Sequence, residues 1–202
     1  MLSEATMLTK FKKLLSSGSK QQLPASTKSS SVKRSRPLEE ACSDDIDSFI
    51  AAAYKADQKG HSPWVLRDSS VVETLRRALE FTVHRGLWLQ REEGQVAYWQ
   101  GCLLALRHGE GPPLGMVLAC RADDEAAWQL RFFYINQEWK GRGHGARLLI
   151  AVRRSLKGVP LQTRLPLVCH SAIGSLEAAG FTRQYVDAFD VASYEAPAMW
   201  DE

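Results

Sequence analysis

Residues 133–149 read FYINQEWKGRGHGARLL: an apolar run, a polar turn with glycine at alternate positions Gly141, Gly143 and Gly145, then a leucine-rich start. At a junction between a strand and a helix the peptide N–H groups point forward into the space ahead of the helix, and their partial positive charge favours an anion there. Alternate glycines let a ligand come close to the backbone, because no Cβ intervenes. Lys140, Arg142 and Arg147 add mobile positive charge around the same spot. The pocket that this pattern predicts suits a diphosphate. A Walker loop needs Gly-Lys followed by Ser or Thr, and HGARLL (144–149) supplies neither. Gly141, Gly143 and Ala146 do satisfy G-x-G-x-x-A. That fingerprint opens a parallel βαβ domain, however, with an acid about 20 residues on, and 158–168 (GVPLQTRLPLV) has no carboxylate.

Outward from the loop, periodicity supplies the neighbours. Upstream, QVAYWQGCLLALR (95–107), PLGMVLACR (113–121) and WQLRFFYIN (128–136) are apolar runs separated by HGEGPP and ADDE, which predicts an antiparallel meander feeding the loop. Downstream, Leu148, Leu149, Val152 and Leu156 recur at helical spacing, and KGVP (157–160) stops that helix. LQTRLPLV (161–168) reads as a strand. SAIGSLEAAGF (171–181) reads as a short helix ending at Gly180 with Ala172, Ile173, Leu176 and Ala179 on its inner side, and residues 185–200 supply one or two closing strands. Earlier in the chain, Ile46, Phe49, Ile50 and Ala53 form one helical stripe behind Ser43, Asp44 and Asp45. Val71, Leu75, Ala78 and Leu79 form a second over 71–81, with Ser69 and Ser70 as caps.

The 202 residues suffice for one core plus a tail. Residues 1–40 are read as the tail and 41–202 as the domain. Met1 to Leu38 carry eight Lys or Arg against the single acid Glu4, and SSGSKQQLPASTKSSSVKRS (16–35) has almost no large apolar side chain. Such a stretch cannot offset an ordering entropy of roughly 1–2 kcal/mol per residue, so it is expected to be a disordered basic tail. Besides solvation, the readings open to it are a targeting segment for an organelle or secretion, and weak contact with polyanions through KRSR (33–36). Cys42, Cys102, Cys120 and Cys169 show neither C-x-x-C nor metal-ligand spacing, so they are expected to be idle thiols in a reducing, cytoplasmic setting with no metal. No apolar run reaches the roughly 18 residues of a membrane span.

From Trp128 to Leu156 the sequence resembles the central motif of the GNAT superfamily of acyl-CoA-dependent N-acyltransferases: an apolar strand, a turn, then Arg or Gln, two residues, Gly, any residue, and Gly or Ala. Lys140 stands in the Arg/Gln slot, and Gln137 where proline is common. CHSAIGSLEAAGF (169–181) is similar to a second family landmark, matching at Ala172, Ile173, Glu177, Gly180 and Phe181, with Cys169 in place of Asn and Leu176 in place of Tyr. The resemblance covers about residues 43–200.

The resemblance implies an α/β fold with a mixed, mostly antiparallel sheet flanked by helices, and transfer of an acetyl group from acetyl-CoA to a primary amine without a covalent enzyme intermediate. It implies that the diphosphate lies on Lys140, Gly141, Arg142, Gly143, His144, Gly145 and Ala146, and that the pantetheine arm pairs with the backbone of Phe133, Tyr134 and Ile135 where the sheet splays. An amide near Ile135 then polarises the thioester carbonyl. The helices over 43–82 shape the acceptor site. The acceptor is a small molecule or a protein, with a lean to a macromolecule because the tail is basic.

The residue that moves protons is less legible, because the family's usual tyrosine is Leu176 here. His170 is the catalytic candidate, as base or thiolate donor; a histidine before a helix also serves as a cap. Tyr134, Tyr185, Tyr194, Glu138 and Cys169 have plainer structural readings, and Trp139 is expected to pack under the loop. The competing expectation is a non-catalytic acyl-CoA sensor or nucleic-acid-associated module on the same fold.

Overall fold

The computed structural model describes residues 38–200 except 93, 94, 110 and 125; the expected tail, apart from its last residues, lies outside the described residues. A mixed sheet of eight strands carries the fold: β1 (Glu39–Glu40), β2 (Leu87–Glu92), β3 (Gln95–Leu106), β4 (Gly115–Arg121), β5 (Trp128–Ile135), β6 (Leu161–Pro166), β7 (Thr182–Val186) and β8 (Val191–Ala196). Their order is β1-β3-β4-β5-β6-β8-β7, with β2 also paired to β3. Only the β5–β6 pairing is parallel. Helices α1 (Ile46–Asp57) and α2 (Ser69–Arg85) cover one face, and α3 (His144–Ser155) and α4 (His170–Ala178) cover the other.

Each helix buries the stripe that its periodicity sets. Ile46, Phe49, Ile50 and Ala53 of α1 and Leu75, Ala78 and Leu79 of α2 pack with Met116, Leu118, Cys120 and Phe132 on one sheet face. Leu148, Leu149 and Val152 of α3 and Leu176 of α4 pack with Val117, Ala119, Leu130 and Tyr194 on the other. Two details differ from the sequence reading. The α2 cap is Asp68, whose carboxylate accepts from the Ser70 amide at 2.7 Å, so the helix starts at Ser69 rather than Val71. The α1 entry is a turn of 3-10 helix, Ser43–Asp45, in which Asp45 accepts from the Cys42 amide at 2.8 Å.

Strands β1 and β2 have no counterpart in the sequence reading. LWLQRE (87–92) folds back on 95–100 in register Leu87↔Gln100 to Glu92↔Gln95, so the meander begins one strand early. Glu39 and Glu40, which composition groups with the tail, pair with Ala105 and Leu104.

The feature that positions the site is a β-bulge. In the β4–β5 ladder Leu118 faces Phe132 while its neighbour Ala119 faces Leu130, leaving Arg131 as the extra residue. A one-residue offset swaps the faces of everything beyond it. Trp128 and Leu130 therefore join the α3/α4 core, whereas Phe132 and Tyr134 turn to the α1/α2 side. The parallel pairing of β5 with β6 runs only from Trp128↔Leu161 to Leu130↔Thr163, with the Thr163 hydroxyl donating to Leu130 O at 2.9 Å. Beyond the bulge the two strands separate.

Candidate active site

That separation leaves one edge of β5 open. Asn136 N–H donates to Leu114 O at 2.8 Å, and alternation along an antiparallel ladder then turns the peptide groups of Phe132 and Tyr134 to β4 and those of Phe133 and Ile135 to the open side. Those open-side groups have no strand partner among the described residues. The side chains of Phe133 and Ile135 fall on the α3/α4 side, and that of Tyr134 on the other.

At the end of β5 a 3-10 turn, Gln137–Trp139, leads to Gly141 and Gly143, both with φ +74°, and into α3. A side chain at either glycine would meet nothing within 4 Å, and residues 140–143 are exposed. Gly143 occupies the cap position and supplies no capping side chain. Among the described residues the amides of Gly141 to Ala146 have no hydrogen-bond acceptor; the first α3 bond is Arg147 N–H to Gly143 O, 3.2 Å. A helix start left uncapped and open is where an anion is bound. At Gly145 a Cβ would lie 2.3 Å from Ser175 Oγ, so the missing side chain there also lets α3 and α4 touch.

Two of the loop's side chains meet the Trp139 ring. The Arg142 guanidinium sits 5.3 Å from the indole centroid, and the His144 ring meets it edge-on at 5.8 Å. His144 Nδ1 is buried without a partner, and desolvation, then the charges of Arg147, Arg142 and His108, hold this histidine below its ordinary pKa. Lys140, Arg142 and Arg147 are exposed. The neighbourhood is short of negative charge and has unused donors, so the residues fit a diphosphate.

The proton-handling candidates are scattered. His170 is exposed at the first position of α4, and its ring has no hydrogen-bond partner among the described residues. Leu176 is fully buried in the core cluster on the α3/α4 side. Burial raises the pKa of the half-buried Cys169 thiol, opposite to what a nucleophile needs. Tyr185 lies exposed on edge strand β7, and Glu138 is exposed in the turn. Tyr134 and Tyr194 each bury a hydroxyl that has no partner among the described residues. The Tyr134 phenol is held above its usual pKa by burial and then by Asp45, whose own carboxylate pairs with Arg107. No metal-ligating cluster occurs among the described residues, and none of their helices is long and apolar enough to cross a membrane.

Comparison with known proteins agrees with this geometry. Residues 69–181 match the model of the acetyltransferase (GNAT) family. No curated protein sequence matches. Among solved structures, spermidine N-acetyltransferase from Vibrio cholerae, in complex with CoA and spermine, superposes with TM-score 0.59 at 11% identity, over 80% of this chain and 94% of that one. A phosphinothricin acetyltransferase from Sinorhizobium meliloti, in complex with AcCoA, gives 0.57 at 16% identity, over 82% and 89%. An aminoglycoside acetyltransferase in complex with coenzyme A gives 0.56 at 15% identity, over 80% and 94%. With the family model spanning more than half of its length, the chain belongs to the GNAT acetyltransferase family.

Proposed function

We propose that the protein transfers an acetyl group from acetyl-CoA to a primary amine by direct attack within a ternary complex. The observation that carries this reading is the separation of β5 from β6 after Leu130, next to a helix start whose amides are open. The amides of residues 141–146 hold the diphosphate. Phe133 and Ile135 bind the pantetheine arm through their free peptide groups, and an open amide where that arm ends, towards the bulge, polarises the thioester carbonyl. Bound acetyl-CoA supplies the activated acyl group. The chain's residues align it and exclude water on the α3/α4 side, where Leu148, Leu149 and Leu176 are fully buried.

A neutral amine must lose a proton on attack, and His170 is the side chain we assign to that step or to protonating the leaving sulfur. The acceptor arrives on the α1/α2 side. The three related structures act, by their names, on a polyamine, on phosphinothricin and on an aminoglycoside, so the fold alone does not choose the amine.

Incubation of the purified chain with isotopically labelled acetyl-CoA and cell extract, followed by mass spectrometry, tests the reading. Label on a discrete amine is expected. Tight acetyl-CoA binding with no labelled acceptor contradicts transfer and favours a sensor, the reading that the buried Leu176 in the tyrosine slot supports.

A further inference from the structure

The α3/α4 side of the gap is filled by Leu130, Phe133 and Ile135 against Leu148, Leu149, Leu165 and Leu176. An amine reaching the thioester must come from the other side, and the residue at the vertex there is Arg131, the bulged one. Its side chain faces α1 and α2. The guanidinium lies 3.5 Å from Gln129 Oε1, and Gln129 stands opposite Cys120, a member of the core on that face. Over the same region runs the α1–α2 connection, whose Trp64 ring is 5.6 Å from Phe132 and 6.4 Å from Trp88.

Three arginines on or beside the sheet have acids, whereas Arg91 on β2 and Arg183 on β7 are exposed and meet none among the described residues. Arg107 pairs with Asp45, Arg121 with Asp124 and Arg164 with Asp187. Arg131 is half-buried, and among the described residues no carboxylate meets it; its one polar contact is the marginal one to Gln129. A guanidinium presents a planar fork of donors that matches an oxyanion, and partial burial strengthens such a pair. We propose that Arg131 binds an oxyanion on the acceptor, so that the acceptor is a primary amine with a carboxylate close to its nitrogen. The carboxylate belongs either to a free amino acid or to an acidic first residue of a peptide. This inference rests on the acetyl-transfer reading, and Arg131 acts in it as a specificity residue.

The test uses the full chain, acetyl-CoA and a thiol-release assay. Free amino acids are compared with their carboxamides, and peptides beginning with Asp or Glu with those beginning with Asn or Gln. Arg131→Gln and Arg131→Lys are run beside the wild type, with acetyl-CoA affinity measured by calorimetry. The acidic form of one set is expected to be preferred by about tenfold or more in kcat/KM, as one charge-assisted hydrogen-bonded pair allows. Arg131→Gln should erase the preference, chiefly through the acceptor KM, and Arg131→Lys should restore part of it. Acetyl-CoA affinity and melting temperature should stay at wild-type values in both. Equal rates for acid and neutral forms, a preference that survives Arg131→Gln, or no acidic amine acetylated by a protein that binds acetyl-CoA overturns the inference. Absence of acetyl-CoA binding in the wild type overturns the transfer reading itself, and this inference with it.

Discussion

Gly143 shows how one residue serves both fold and ligand. At φ +74° an L side chain is strained by roughly 1–2 kcal/mol, yet a Cβ there meets no atom within 4 Å. Gly143→Ala should therefore lower stability by about that amount. Gly143→Glu adds a negative charge in the cradle and should abolish acetyl-CoA binding while the protein still melts cooperatively; calorimetry and a thermal melt separate the two effects. Asp45 makes a different point. Burial raises its pKa, but the Cys42 amide and Arg107 outweigh that, so the carboxyl ends below its ordinary value in the folded state. A depressed folded pKa gives stability that is present above the unfolded value, about 3.9, and lost as pH falls through the folded one. With the Asp45 side chain 5% exposed, Arg107→Gln leaves a buried charge unpaired and should cost about 3 kcal/mol at pH 7 by urea denaturation. Asp45→Asn in the Arg107→Gln background should recover part of that loss and, against wild type, flatten the acid dependence below about pH 4. An equal acid slope in that double variant contradicts the assignment.

At the scale of elements, Gly145 joins α3 to α4. A Cβ on it would stand 2.3 Å from Ser175 Oγ and 2.9 Å from Ser175 Cβ. Gly145→Ala should destabilise by about 1–3 kcal/mol through overpacking, and Ser175→Gly should relieve most of it. If the two changes are additive instead, the helices are not held apart by this pair. The junction itself was legible in the sequence because its signals are local: glycine spacing, the Leu148, Leu149 and Val152 stripe, and the preceding apolar run. The bulge was not. Arg131 alters no composition and no periodicity within β5; it shows only against the register of β4. Strand β2 escaped for a related reason, since LWLQRE is recognisable as a strand chiefly through its pairing with 95–100.

Across the whole molecule, a sheet with a core on each face has α3 and α4 against one side and α1, α2 and their connection against the other. The family motif made that architecture readable from 128 to 181, but Arg131, the specificity residue we propose, and the loops around it carry no period that the sequence could reveal. His170 and Leu176 show the same boundary. Their positions were set by the motif, yet burial of Leu176 and exposure of His170 depend on packing by distant strands. A ligand that binds only the folded state stabilises it by about 2.7 kcal/mol at a hundredfold excess over Kd. Saturating acetyl-CoA should accordingly raise the melting temperature by several degrees, and the rise should vanish in Gly143→Glu.

The most direct test is titration of 15N-labelled protein with acetyl-CoA, following backbone amide resonances. The amides of Gly141, Gly143 and Gly145 should move together with those of Phe133 and Ile135 and saturate at one equivalent. Saturable binding that leaves these five amides in place, and shifts others, would contradict the assignment of the cradle and the gap to acetyl-CoA.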